Sequence, residues 1–365
     1  MADPPKFIET DPAVIEQAAI ATYEAALGKT LQPGQPERLL INAAVYREAL
    51  KAREIQHAGE QSLVNFATGE HLEQLGILLG VERLQPSAPT TTIRFTRTIL
   101  TNQVTIPIGT LVTTPSGILA RTDADLVLRA GDNTAAVTAT LLVIGPAQNG
   151  IDIDQFTELV TPLPDITLRN TDITAGGADL ETDEALRTRI KLAPGRFSTA
   201  GSRLAYEFWT RTASPSIIDA VALHGGSVRV DVYVLLNTGL PNQALLDDVG
   251  LILNDDRVRP LTDSVSISAP TEVSYALEAS VVLFQDAEVS STLAAVQAAA
   301  DAYLADRRLT LGADIVRSQI IDALSVDGVY SVSVISPAAD IVLDQSQWAN
   351  GTGATITEGG LPQSG

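Results

Sequence analysis

The sequence predicts an α+β multidomain protein: an N-terminal helical arm, a small β-sandwich or barrel domain, and C-terminal α/β domains of strand–helix–strand type. Three observations predict it. Apolar residues recur at helical spacing up to about residue 90, alternate with period two from there to about residue 174, and then fall into alternating strand and helix patterns. The expected boundaries are a helical arm at 1–90, a β-domain at 91–180, a helical linker at 181–213, an α/β region at 214–347 and a flexible tail at 348–365. A chain of 365 residues is long enough for such an organisation, because each part can bury a core.

The arm opens with Asp11-Pro12, a capping residue followed by proline at the first helical position, and Gly28 closes this helix. After Gly34 and Pro36 a long helix is expected from Glu37 to Ala67. Leu39, Ala43, Tyr46 and Leu50 fall on one of its faces; Ile41, Val45, Ala49, Ala52 and Ile55 fall on nearly the opposite one. A helix apolar on two sides is packed between neighbours. Those neighbours are either helices of its own domain or helices of other chains, and the small arm favours the second arrangement. A shorter helix follows Gly69, with Leu72, Leu75 and Leu79 on one face and Gly80 at its end.

Ile93 and Phe95, then Val104, Ile106 and Ile108, then Val137, Ala139, Leu141 and Val143 mark strands, separated by turn-forming runs such as Gly131-Asp132-Asn133 and Gln148-Asn149-Gly150. Thr182 is placed to cap a helix over Asp183–Leu192, and a further helix is expected over Ser202–Thr212. Beyond these, strands are expected at 217–223, 227–236, 264–267, 274–284, 329–335 and 341–343, with helices at 242–254, 290–304 and 314–324. The glycine-rich end from Trp348 onward has little to bury and reads as a flexible tail.

Composition narrows the function classes. Hydrophobic residues make up 45% of the chain and aromatics 4%, so the cores are aliphatic and flat ring platforms for sugars or bases are disfavoured. A formal net charge of −20 repels phosphate backbones and anionic membranes, so neither nucleic acid nor membrane is an expected partner. The absence of cysteine removes thiolate metal sites, disulfides and a cysteine nucleophile. Met1 to Lys6 carries no signal-peptide pattern, and the apolar run at Ile77-Leu78-Leu79 is far too short to span a membrane.

Reactive groups do not assemble in the sequence. His57, His71 and His224 lie in different predicted elements without ligand spacing. Asp152 and Asp154 share a face of an expected strand, and Asp247-Asp248 and Asp255-Asp256 flank a helix. Among 44 acids, however, adjacent pairs arise by chance, and no calcium-loop pattern follows. Thr199-Ala200-Gly201-Ser202 resembles a nucleophile turn, yet no histidine is placed to serve it and helix capping accounts for Ser202. Phosphate-cradling loops and G-x-S-x-G elbows are absent, so no catalytic, metal or cofactor site is expected. Asn254–Thr262 and Ala305–Thr310 resemble each other weakly, as two related modules would.

Four motifs, in order, carry a resemblance. They are Ala67-Thr68-Gly69 with Leu72-Glu73-Gln74-Leu75-Gly76 and Leu79-Gly80-Val81-Glu82-Arg83; Ile106-Pro107-Ile108-Gly109-Thr110; Gly145-Pro146-Ala147-Gln148-Asn149-Gly150; and Gly176-Gly177 through Ile190, followed by Ala200-Gly201. Over about Ala13 to Leu343 these resemble the baseplate J-like family of contractile phage tails and related injection particles. Glu73 stands where that family usually has Asp, and Gln148 where it has a second glycine.

The resemblance implies a non-enzymatic wedge subunit of the tail baseplate, made and assembled in the bacterial cytoplasm. Its expected partners are a second copy of itself, a second wedge protein, a sheath-initiator or lysozyme-like baseplate protein, and the spike or hub. The wedges would form a six-fold ring that relays contraction to the sheath. Helices of the arm would pack with partner helices through Leu39, Ile41, Ala43, Val45, Tyr46, Ala49, Leu50, Ala52 and Ile55, and the region 214–347 would self-associate. A tail-fibre or receptor-binding module is the alternative, though the chain lacks long fibrous stretches; a glycan hydrolase is a third reading that nothing positions.

Overall fold

A computed structural model describes residues 3–98, 101–197, 201–260 and 262–360. The fold is α+β and multidomain, and it divides into two compact units: residues 1–83 with 182–191, and residues 84–181 with 192–365.

In the first unit, helix α1 (Pro12–Leu27) is capped by Asp11, whose Oδ1 accepts from Ala13 N at 2.9 Å, and is closed by Gly28 at φ 64°. Helix α2 spans Pro36–Glu60, stopping seven residues short of the expected Ala67. Beyond Glu60 the chain makes tight turns, and Gln61 Oε1 accepts from Thr68 N at 2.9 Å. Helices α1 and α2 pack through Ile15, Val45, Ala49 and Ala52, and Arg38 pairs with Glu16 at 3.0 Å. Helix α3 (Gly69–Ile77) buries Leu72 and Gly76. The last piece is α4 (Asp183–Leu192), which buries Leu186 and Ile190. The expected linker at 181–213 is therefore divided, with 182–191 belonging to this unit and the remainder to the other.

The second unit begins with the β-domain. Its strands are β1 (Thr90–Arg97), β2 (Val104–Ile106), β3 (Leu111–Thr113), β4 (Leu119–Thr122), β5 (Leu126–Leu128), β6 (Thr134–Leu141), β7 (Glu158–Leu159) and β8 (Ile166–Asn170). Six of them form a sheet in the order β7-β3-β4-β6-β1-β8, and its two edge strands approach each other, giving a nearly closed barrel; β2 and β5 pair separately. Alternation along β1 sends Ile93 and Phe95 into a core shared with Ala139, Leu141, Phe156 and Leu168. Closure rests on Asn170, which is fully buried. Its Oδ1 accepts from Gln155 N (2.8 Å) and Phe156 N (3.0 Å), and its Nδ2 donates to Asp152 O and Asp172 O, both at 2.9 Å. The buried Arg97 donates to the carbonyls of Asp132, Asn102 and Arg129.

Two expectations fail here. Ile108 and Val143 lie outside strands and are exposed, because the turn at Gly109 and the end of β6 at Leu141 remove them from the pleat. Asp152 and Asp154 are in a turn and not a strand, with Asp154 at φ 62°. Strands β3, β5 and β7, of three, three and two residues, are too brief to show a period.

The central module places α5 (Arg203–Thr212) and α6 (Gln243–Leu253) on a sheet of β9 (Ile217–His224), β10 (Arg229–Leu236) and β11 (Ser264–Ser268), with β10 in the middle. Ser202 caps α5 through Ala205 N at 3.3 Å, as expected; Thr199 and Ala200 lie outside the described residues. The C-terminal module carries α7 (Val289–Arg307) and α8 (Arg317–Leu324) on β12 (Thr271–Leu283), β13 (Val329–Ser336) and β14 (Gln347–Glu358). Each sheet has one parallel and one antiparallel pair, but the elements occur in a different chain order, so the weak sequence repeat does not extend to a repeated topology.

Two corrections concern the end of the chain. Residues 341–343 form only an isolated bridge, Ile341 to Ile315. The expected tail is instead β14, parallel to β12 from Gln347 to Glu358; residues 361–365 lie outside the described residues. Its glycines permit close packing: a Cβ on Gly351 would lie 2.6 Å from Leu304 Cδ2.

Candidate functional site

The residues singled out on α2 separate into two groups. Val45, Ala49 and Ala52 are buried against α1 of the same chain and Ile41 is half-buried beside them, so this face already has its neighbour. On the other face Leu39 (68% exposed), Tyr46 (66%) and Leu50 (44%) stand open, with Ala43 exposed among them. Ile55, expected with the first group, is exposed as well. This row leaves apolar surface exposed on a helix whose opposite face is already packed.

The four motifs brace joints of the fold. In the first unit, Asp183 Oδ2 accepts from Gly69 N at 2.9 Å and its Oδ1 from Arg83 at 2.6 Å, while Arg83 Nε also reaches Glu73 at 2.6 Å. Arg187 and Arg189 are buried. Arg187 donates to Val64 O (2.7 Å) and Ala67 O (2.6 Å), and Arg189 donates to Glu82 O. The first and fourth motifs are thus two halves of one clamp, and Glu73 supplies an acceptor at the position of the unusual residue. The Gly69 N–H and then Arg83 hold the Asp183 carboxyl below its ordinary range. A folded-state pKa below the unfolded value stabilises above the unfolded carboxylate range, and that contribution disappears as pH falls through the folded pKa. Far-UV circular dichroism during acid titration should therefore show helix loss below about pH 4 in the wild type. In Asp183→Asn that acid-dependent step should shrink; an unchanged acid limb would refute the clamp's role.

In the second unit the third motif meets the start of the fourth. Asn149 Nδ2 donates to Gly177 O (2.8 Å) and its Oδ1 accepts from Gly177 N (2.9 Å). A Cβ on Gly177 would lie 2.5 Å from Gly145 O and 2.6 Å from Pro89 Cγ. Gly177→Ala is expected to lower stability by about 2 kcal/mol through overpacking, measurable by urea denaturation. The second motif is the turn between β2 and β3, where Gly109 N donates to Thr122 O and Pro107 O accepts from Thr110 Oγ1 at 2.7 Å.

The remaining candidates do not converge. The three histidines are exposed in separate elements. Asp154 pairs with Arg169 at 3.2 Å and Asp255 with Arg257 at 3.0 Å, both in solvent. Among the described residues no group of three or more His, Asp or Glu side chains is placed to hold a metal ion, and no helix is long and apolar enough to cross a membrane.

A helical arm, a nearly closed barrel and two α/β modules make this a multidomain α+β protein. Three domain models of one family match in chain order: the baseplate J-like protein barrel domain at residues 92–177, the baseplate J-like central domain at 198–269, and the baseplate J-like protein C-terminal domain at 275–357. Together they cover more than half of the chain, which belongs to the baseplate J-like family. It is 33% identical over 203 residues to baseplate protein J of Escherichia phage P2. That match takes in 55% of this chain and spans 65% of the phage protein's length. A chain of the anti-feeding prophage baseplate, solved by cryo-EM with six-fold symmetrisation, aligns over 93% of this chain and 90% of its own. The TM-score is 0.38 at 13% identity.

Proposed function

We propose that this chain is a structural wedge subunit of a contractile-tail baseplate, acting by assembly and not by catalysis. The observation that supports this reading is the open face of α2, where Leu39, Tyr46 and Leu50 offer apolar surface to helices of another chain. Membership of a baseplate J-like family supports a baseplate setting; in this reading the chain sits in a virion or injection particle assembled in the bacterial cytoplasm. In this reading the arm bundles with a second wedge protein and a second copy. The central and C-terminal modules contact neighbouring copies in a six-fold ring around the spike, beside a sheath-initiator or lysozyme-like protein. A change in that ring then passes the contraction signal to the sheath. Deleting the gene and imaging the particles tests the proposal. Absent or baseplate-less tails are expected, whereas intact tails that fail to bind cells would point to a fibre protein, and intact, binding tails that cannot breach the wall to an enzyme.

A further inference from the structure

We infer that the central and C-terminal modules are locked into one rigid block by a keystone at Trp348, so that a force applied to one turns the other. Four observations converge on this joint. The modules are joined by only two residues, Ala269 and Pro270, and proline fixes its own φ. Each module keeps a separate core beneath its own helices. A third, independent apolar cluster lies at the joint, where Trp348 (6% exposed) and Leu311 from the C-terminal module meet Leu235. Partly buried Val221 and Tyr233 pack against it. Strand parity puts Tyr233 and Leu235 on the face of the central sheet opposite α5 and α6, since Val232, Val234 and Leu236 fill the core on the helix side.

Polar contacts fix the register of that packing. Asp219, opposite Leu235 on β9, accepts from Leu311 N at 2.8 Å and is itself held by Arg211 at 2.6 Å. The Trp348 indole Nε1 donates to Arg308 O at 2.9 Å, which fixes the ring within its own module. The ring then lies against Gly239, where a Cβ would come within 3.3 Å of Trp348 Cη2. Gly239 has φ 112°, a conformation that side-chain-bearing residues rarely adopt, so the backbone there can leave room for the indole. Small inter-domain contacts normally permit relative motion. Here a short proline-stiffened connection, an inserted ring and a directional backbone-to-carboxylate bond act on the same joint, and together they remove the freedom that any one of them would leave.

Trp348 is therefore a positioning residue, and the test is a distance distribution. The chain has no cysteine, so Leu251→Cys on α6 and Ala295→Cys on α7, both exposed, place two spin labels and no others. Electron–electron double resonance on the full chain should give a single narrow distribution. Trp348→Ala and Leu311→Ala should each broaden it about twofold or more, as expected for modules released from a small interface. Trp348→Phe, which keeps a ring but loses the Nε1 donor, should fall between. Neither alanine substitution enters a module's own core, so hydrogen exchange in β10 and β12 should remain protected, separating release of the joint from unfolding. A broad distribution in the wild-type background, or a narrow and unshifted one in both alanine variants, would overturn the lock. The experiment needs no assembled particle, so its failure would leave the wedge reading untouched.

Discussion

Replacing Leu39, Tyr46 and Leu50 with glutamate is expected to leave the isolated chain folded while abolishing its co-purification with the second wedge protein proposed as its partner. All three side chains project from α2 into solvent, so charges there are hydrated in the free chain. In an assembled helical bundle the same charges would be buried without partners, at several kcal/mol each, which is enough to eliminate binding. The opposite face supplies the control. Val45→Glu or Ala52→Glu would bury a carboxylate in the α1–α2 contact and should unfold the arm itself, visible as lost helical circular dichroism. Sequence periodicity alone put both apolar faces of α2 against partner helices; burial shows that α1 already covers Val45, Ala49 and Ala52, with Ile41 half-buried beside them. Retained co-purification of the Leu39/Tyr46/Leu50 variant would exclude this face from the interface.

Asn170→Ala should be the most damaging single substitution in the barrel. It removes four hydrogen bonds made by one buried amide and leaves the N–H groups of Gln155 and Phe156 and the carbonyl of Asp152 without their partner, while the carbonyl of Asp172 keeps its bond from Thr91 Oγ1. Unpaired buried polar groups each destabilise by about 1–3 kcal/mol, and water entering the truncated site recovers part of that, so a net loss of about 3–5 kcal/mol is expected. Hydrogen exchange in β1 and β6 is the readout, because the barrel contains neither tryptophan nor tyrosine to report its own unfolding. Asn170→Asp should be nearly as harmful, since a carboxylate cannot donate to the two carbonyls. A loss below about 1 kcal/mol in Asn170→Ala would show that closure depends on the apolar core instead.

Much of the architecture was legible in local pattern. Asp11-Pro12 and Gly28 bounded α1, Thr182 and Ser202 marked the starts of α4 and α5, and the change from helical to alternating spacing located the barrel. These are signals that a few consecutive residues carry by themselves, through capping geometry and the period of the backbone. The end of the chain showed no such signal. Trp348, Gly351 and Gly353 read as a loose tail because glycine weakens an isolated strand, yet β12 supplies the hydrogen bonds and Leu235 the apolar surface that make β14 a strand.

By itself, the sequence determined most of the helices and the longer strands up to β13, that the cores are aliphatic, and that α2 is apolar on two faces. Only the tertiary structure decided which face of α2 remains open, that the first and fourth motifs are one clamp, and that Asn170 and Trp348 hold joints. The reason is physical: periodicity records that a side chain will be buried, but its partner comes from residues far away in the chain, and only packing brings the two together.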